Sequence, residues 1–310
     1  MNVLVTGGAG FIGSHVTDRL IQHGHSVDVM DDLSSGIPEN VHPSATLYVM
    51  DIRSSEATDL VRRNRYSSLI HHAAQMDVRR SVSDPAFDVR VNILGLINLM
   101  EAGRVSGLRK VVFASTGGAI YGEPESGPQS EQHPQRPLSP YGISKLTCEK
   151  LLYFYQHEYG IPFVALRYGN VYGPRQNAHG EAGVIAIFSE RLLSGQPTMI
   201  HGDGLQTRDY VYVDDVARAN DAALHFSGSS IALNIGTGIE TDVVTLHNML
   251  EKATGVSQSP THGPSKSGEQ RRSVLDYSMA SEILSWSPMI DLSQGLQKTA
   301  NWFIDRHYQH

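Results

Sequence analysis

The chain has 310 residues, enough to bury one large core or two modest ones, with the 40% hydrophobic and 18% charged content of a globular protein. A net charge of −7 with no Lys/Arg-rich run argues against nucleic acid as a partner. No apolar stretch approaches the roughly 18 residues needed to span a membrane, no signal peptide precedes the first apolar segment, and the single cysteine, Cys148, excludes an intramolecular disulfide framework, so a reducing cytoplasm is expected.

In chain order, the first half alternates short apolar runs with amphipathic stretches. Strands are predicted at 2–7, 26–31, 46–51, 68–73, 110–115 and 163–168, and helices at 14–24, 88–107 and 145–160. That alternation predicts right-handed βαβ units in a parallel sheet covered on both faces, with ligands beyond the carboxyl ends of the strands. From 167 to 183 the pattern loosens and reads as loop. A helix is then predicted at 184–195, a short strand in TMIHG, and a strand leading into a helix across 208–226, with Asp214 or Asp215 near the helix start. IALNIGTG (231–238) reads as a buried strand placed to return to the main sheet. The tail adds helical segments at 242–255, 278–286 and 293–308, with a Ser/Pro/Gly-rich link at 256–268. The expected fold is α/β, with a Rossmann-type doubly wound parallel sheet over 1–168, rejoined by 211–238. A smaller, discontinuous carboxyl-terminal substrate domain comprises 169–210 and 239–310.

Gly7, Gly8, Gly10 and Gly13 lie between the first strand and the first helix and satisfy both GxxGxxG and GxGxxG. Glycines let the backbone turn tightly against a pyrophosphate, and a helix opening near Phe11 and Ile12 offers free N–H groups and partial positive charge. Asp31 ends the second strand 18 residues after Gly13. A carboxylate there accepts hydrogen bonds from ribose hydroxyls and repels a 2′-phosphate, so NAD is expected rather than NADP. Asp51 and Ile52 follow the third strand, where they are placed to meet the adenine edge or simply to end the strand. Ala73 and Ala74, in HHAAQ, are small enough for the backbone to lie against the cofactor, whereas His71 and His72 are read as packing groups.

Tyr141 and Lys145, in SPYGISK, are spaced i, i+4 and share a helix face, about 5–6 Å apart at Cβ. A phenol titrates near 10, too high for a base at neutrality. A neighbouring ammonium and a cationic nicotinamide would both favour the phenolate, which could then take a hydroxyl proton as hydride leaves the same carbon. Upstream, ASTGGAIYG offers hydroxyls at Ser115 and Thr116, either of which could bridge substrate and phenol. No metal is required by this chemistry.

These strings, together with DDLSSG, VNILG, RYGNVYGPRQ, GDGLQTRDYVYVDDVA and NIGTG, resemble the extended short-chain dehydrogenase/reductases, specifically the NAD-dependent epimerase/dehydratase family of nucleotide sugars, along nearly the whole chain. The resemblance implies C4 epimerisation of a UDP-hexose through a transient 4-keto sugar, with NAD regenerated in each cycle. It also implies a homodimer formed through helices such as LINLMEAG and LLYFYQHEYG. By position, Tyr141 would be the acid/base and Lys145 its activator. Asp32, Ser35, Gly36, Gln75, Asn92 and Tyr168 would join the cofactor set, and Asn170 and Arg208 would hold the diphosphate.

Two departures from the family pattern stand out. The assisting hydroxyl is expected where this chain has Gly117, which leaves Thr116, the preferred choice, or Ser115. The second phosphate arginine is replaced by Lys266, with Arg271 or Arg272 as possible compensation. Seven residues beyond Lys266, beside the sugar C2 substituent, stands Ser273, small enough to admit an N-acetyl group. A 4,6-dehydratase would need carboxyls where Gly118 and Ala119 stand. A UDP-glucuronate epimerase or decarboxylase stays open, as does a non-catalytic NAD(H) sensor, although the latter would not need both Tyr141 and Lys145.

Overall fold

The computed structural model describes residues 1–125, 127–178, 183–265 and 270–307. The strands are β1 Asn2–Thr6, β2 Ser26–Asp31, β3 Thr46–Val49, β4 Ser68–His71, β5 Lys110–Thr116, β6 Phe163–Tyr168, β7 Asn170–Tyr172, β8 Met199–His201, β9 Thr207–Tyr212, β10 Ile231–Ile235, β11 Glu240–Asp242 and β12 Thr261–Gly263. Seven of them form one sheet in the order β10-β6-β5-β4-β1-β2-β3, every pairing parallel. The order reverses between β1 and β4, and such switch points open a crevice at the carboxyl ends of the strands.

Continuous apolar strands such as KVVFA in β5 are buried on both faces, as a parallel sheet demands. One face packs on the helices Phe11–Gln22 and Val213–His225, and the other on Ser55–Asn64, Gly95–Ser106 and Pro140–Tyr159. The smaller layer holds β11-β9-β7 and the parallel pair β12-β8. Its core of Tyr172, Phe188, Leu192, Tyr212, Leu246 and Leu296 lies under the helices Val184–Leu193, Val243–Thr254 and Leu292–His307.

Three local differences from the sequence reading have physical causes. The helix expected from 145 begins at Pro140, because the Ser139 side chain caps the Gly142 N–H at 3.2 Å and Pro140 supplies the fixed φ of a first helical residue. The stretch 88–107 is not one helix. It passes from Pro85–Val89 through a π turn at Arg90–Leu94 into Gly95–Ser106, and the π turn carries Asn92. The supposed loop at 167–183 contains β7, three residues between Gly169 and Gly173 that are too few to show alternation.

Candidate active site

The crevice is built first by close backbone approach. Gly7 has a φ of 69°, and a Cβ there would stand 2.6 Å from the Ala73 nitrogen. A Cβ on Gly13 would stand 2.2 Å from the Gly7 carbonyl oxygen. The loop therefore folds flat against the β4 end and the Phe11–Gln22 helix, leaving a cradle that side chains would fill, of the kind that fits a dinucleotide pyrophosphate. At its rim, Asp31 accepts the Ala9 N–H at 3.0 Å on one oxygen and the Leu33 N–H at 2.9 Å on the other. Burial pushes its carboxyl above the usual range, although those two donors oppose the shift. Gly36 packs directly on Asp31 and Ala9, while Asp32 and Ser35 are exposed beside it. The Asp51 carboxylate is engaged by Arg53, which holds it below its ordinary range. Ile52 is buried against Gly95.

Behind Ala73 and Ala74 lies a polar cluster that the sequence reading missed. Asp88 is fully buried and accepts from Gln75 Nε2 at 3.0 Å, from Asn92 Nδ2 at 3.1 Å and from the Ser144 hydroxyl. Asn92 also accepts the Gln75 N–H at 2.8 Å and donates to the Gln75 carbonyl at 3.0 Å. Gln75 and Asn92, expected as cofactor contacts, also brace the segment after β4 against the Pro140–Tyr159 helix. The i, i+4 spacing of Asp88 and Asn92 was the available signal. Tyr168 likewise has protein partners. Its hydroxyl meets Asn220 Nδ2 at 2.8 Å and His72 Nε2 at 3.2 Å, so it ties β6 to the Val213–His225 helix. His71 and His72 are held neutral by burial, both pushed down to about 3.

Tyr141 occupies the first turn of its helix, where the helix terminus favours negative charge. Gly142 presses on the Ala119 carbonyl, a contact only glycine allows, and this docks the helix start against the residues that follow β5. The Lys145 ammonium donates to the Ala114 carbonyl at 2.8 Å and stands 5.9 Å from the Tyr141 ring centroid. Burial draws Lys145 down to about 8, against the opposing pull of Cys148, Asp88 and Glu149. The Tyr141 phenol is pushed above its ordinary value, by burial first and then by Asp88. Burial and Asp88 act in the same direction, so the lowering expected from Lys145 does not appear among the chain's own groups. Cys148 is buried, donates to the Asn92 carbonyl and is pushed up to about 12, consistent with a packing role.

The two candidate hydroxyls separate cleanly. Ser115 donates to Glu149 at 2.6 Å, and Glu149 is in turn paired with Arg167, both nearly fully buried. The Ser115 hydroxyl is therefore taken up by a buried carboxylate on the helix that also carries Tyr141 and Lys145. Thr116 lies on the opposite side of β5. A Cβ at Gly118 would sit 4.0 Å from Thr116 Oγ1 and 3.9 Å from Asn170 Oδ1, so both groups border the space above Gly118. Glu149 also went unread, although it stands i+4 from Lys145 on the same helix.

On the facing side, Arg208 lies in β9 and donates to the Thr207 carbonyl at 2.8 Å. Its neighbour Asp209 is buried and takes donors from Thr237, Gly238 and Leu275. Arg271 pairs with Asp203 at 2.8 Å and Arg272 with Glu240, so both have acidic partners on the protein. A cleft of about 390 Å3 is lined by His201, Asp203, Gln206, Ser265, Gln270 and Arg271. Lys266 lies outside the described residues. Ser273 is only 1% exposed, in a segment whose Leu275 fills the space over Gly117.

A glycine cradle at a sheet switch point, with a tyrosine and a lysine at the end of β5, defines a dinucleotide-dependent enzyme of the short-chain type. Residues 3–236 match the NAD dependent epimerase/dehydratase family, and the chain belongs to it. It is 45% identical over 311 residues to a UDP-glucose 4-epimerase of Mycolicibacterium smegmatis, covering 99% of each chain. It superposes with a TM-score of 0.96 on a UDP-glucose 4-epimerase from Thermotoga maritima solved with UDP-glucose, at 47% identity and 99% coverage of both chains. A Thermus thermophilus UDP-glucose 4-epimerase in complex with NAD is similar at 43% identity and a TM-score of 0.92, covering 98% of this chain and 99% of that one.

Proposed function

We propose that this chain is an isomerase that inverts C4 of a UDP-hexose, interconverting UDP-glucose and UDP-galactose through a transient 4-keto sugar. The observation that carries this reading is similarity along the whole chain to UDP-glucose 4-epimerases at 45–47% identity. The site chemistry agrees with it. Tyr141 takes the proton of the C4 hydroxyl and returns one to the C4 oxygen after the keto ring has turned over, with Thr116 bridging sugar and phenol. NAD, when bound, supplies reversible uptake of the C4 hydride and the positive charge that brings the phenol within range of neutral pH.

The remaining residues bind and orient. The glycine cradle receives the pyrophosphate, and Asp31 receives the adenosine ribose. Asp88, through Gln75, Asn92 and Ser144, fixes the reacting helix relative to the cradle. Asn170 and Arg208 hold the substrate diphosphate, with Lys266 as the second cation. By family position Ser273 stands beside the sugar C2 substituent and is too small to crowd an N-acetyl group, so the N-acetylated UDP-hexoses are proposed as further substrates, although Ser273 is itself buried. Val105, Tyr153 and Phe154 are exposed on the Gly95–Ser106 and Pro140–Tyr159 helices and support a homodimer through those faces. A cytoplasmic enzyme fits the single buried cysteine, and no helix among the described residues is long and apolar enough to cross a membrane.

The test is a product assay without added nicotinamide, offering UDP-glucose, UDP-galactose, their N-acetyl forms and UDP-glucuronate. Interconversion of the plain hexoses by the protein as purified is expected. Stoichiometric consumption of added NAD, or turnover of UDP-glucuronate alone, would overturn the assignment.

A further inference from the structure

At the opposite edge of the sheet, where the strands begin, His23 and His25 flank the turn between the Phe11–Gln22 helix and β2. Asp221 and His225 come from the last turn of the Val213–His225 helix packed beside it. One donor atom each from His25, Asp221 and His225 lies within 4.8 Å of the others. The Asp221 side chain is nine-tenths buried, and its two oxygens are used unequally. Oδ2 takes Arg19 Nε at 3.1 Å and His23 Nδ1 at 2.9 Å. Oδ1 is buried without a hydrogen-bond partner, and the nearest imidazole nitrogen, His225 Nδ1, is 3.4 Å away. His25 shows the same asymmetry. Its Nδ1 faces the Met1 amino group at 3.3 Å, while its Nε2 is buried and unpartnered. Asp221 Oδ1 and His25 Nε2 are thus two buried polar atoms without partners in one cluster, and burying such atoms unpaired is costly.

We propose that His25, Asp221 and His225 form a binding site for a divalent transition metal of the zinc class, separate from the catalytic crevice. Two imidazoles and a monodentate carboxylate are a donor set that zinc accepts, with water or His23 completing four-coordination. Tetrahedral zinc at about 2.0–2.1 Å from each ligand needs donors roughly 3.4 Å apart, so the cluster must contract from its present span of up to 4.8 Å on binding. His225 Nδ1 lies 2.8 Å from the Asp221 backbone carbonyl, the kind of outer contact that fixes the orientation of a metal-bound ring. The Arg19 guanidinium opposes a cation here. The carboxyl ends of both helices converge on the cluster and offset it with their negative dipole ends. The ion would tie the end of the Val213–His225 helix, whose Asn220 holds Tyr168, to the turn that enters β2.

The test is a calorimetric titration of the purified full chain with zinc chloride, supported by cobalt(II) absorption spectra. One equivalent of zinc at micromolar affinity is expected, with cobalt bands of four-coordinate intensity. His225→Ala removes a half-exposed side chain and should fold. It should weaken zinc binding at least tenfold, and His25→Ala should do the same. No uptake at millimolar zinc would overturn the proposal. So would unchanged affinity in His225→Ala, or equal binding of magnesium or calcium.

Discussion

The cofactor side and the substrate side of the crevice are built in different ways. The proposed cofactor side comes from residues adjacent in sequence: Gly7 to Gly13 in one turn, Asp31 to Gly36 in the next, and Tyr141 to Lys145 on one helix. The proposed substrate side is gathered from β7, β9 and the segment around Ser273, which are brought together by the smaller sheet and by Leu275 against Gly117. A site made of contiguous motifs tolerates little change at each motif. A site made of distant segments can be retuned one residue at a time, so chemistry is expected to be fixed on the first side and specificity to vary on the second.

The largest effect should come from Tyr141→Phe, which keeps the ring and deletes the acid/base. Turnover should fall about 10²–10⁴-fold with UDP-sugar affinity retained, as read by steady-state rates and calorimetry. Loss of affinity in parallel with rate would erase the distinction between the two sides. Next comes Ser273→Tyr, which should suppress N-acetyl substrates by roughly 10–200-fold relative to UDP-galactose, the scale on which pocket shape discriminates. Equal losses on both sugars would show that Ser273 does not control the space beside C2.

Asp31→Ala removes acceptors for the ribose hydroxyls and should weaken NAD binding by about 1–3 kcal/mol, measured by cofactor retention through gel filtration. An unchanged cofactor content would move ribose recognition elsewhere. The smallest effect is expected from Thr116→Val, about tenfold in turnover with thermal stability unchanged, since one hydrogen bond is lost near solvent. Ser115→Ala should do the reverse. It should lower the melting temperature by breaking a bond to the buried Glu149, and any loss of rate should track loss of fold. Rates that fall more for Ser115→Ala than for Thr116→Val would reverse the assignment of the two hydroxyls.

The sequence determined the parallel sheet, the glycine cradle, the acidic strand end and the Tyr-Lys pair, because each depends on local spacing, either a period of two or 3.6 or a turn that only glycine can make. The early start of the reacting helix was also legible in Ser139-Pro140, a cap followed by a first-turn proline. The alternation of β5 dictates that Ser115 and Thr116 point to opposite faces, but not which face belongs to the crevice. That Ser115 is paired with Glu149, on a helix 34 residues away, while Thr116 is not, was decided by the packing of that helix. The use of Gln75 and Asn92 as braces, the burial that raises the Tyr141 phenol, and the gathering of His25, Asp221 and His225 were likewise decided by tertiary packing. Whether a buried polar group faces a ligand or a protein partner depends on what the rest of the chain packs against it, and near-neighbour spacing carries no record of that.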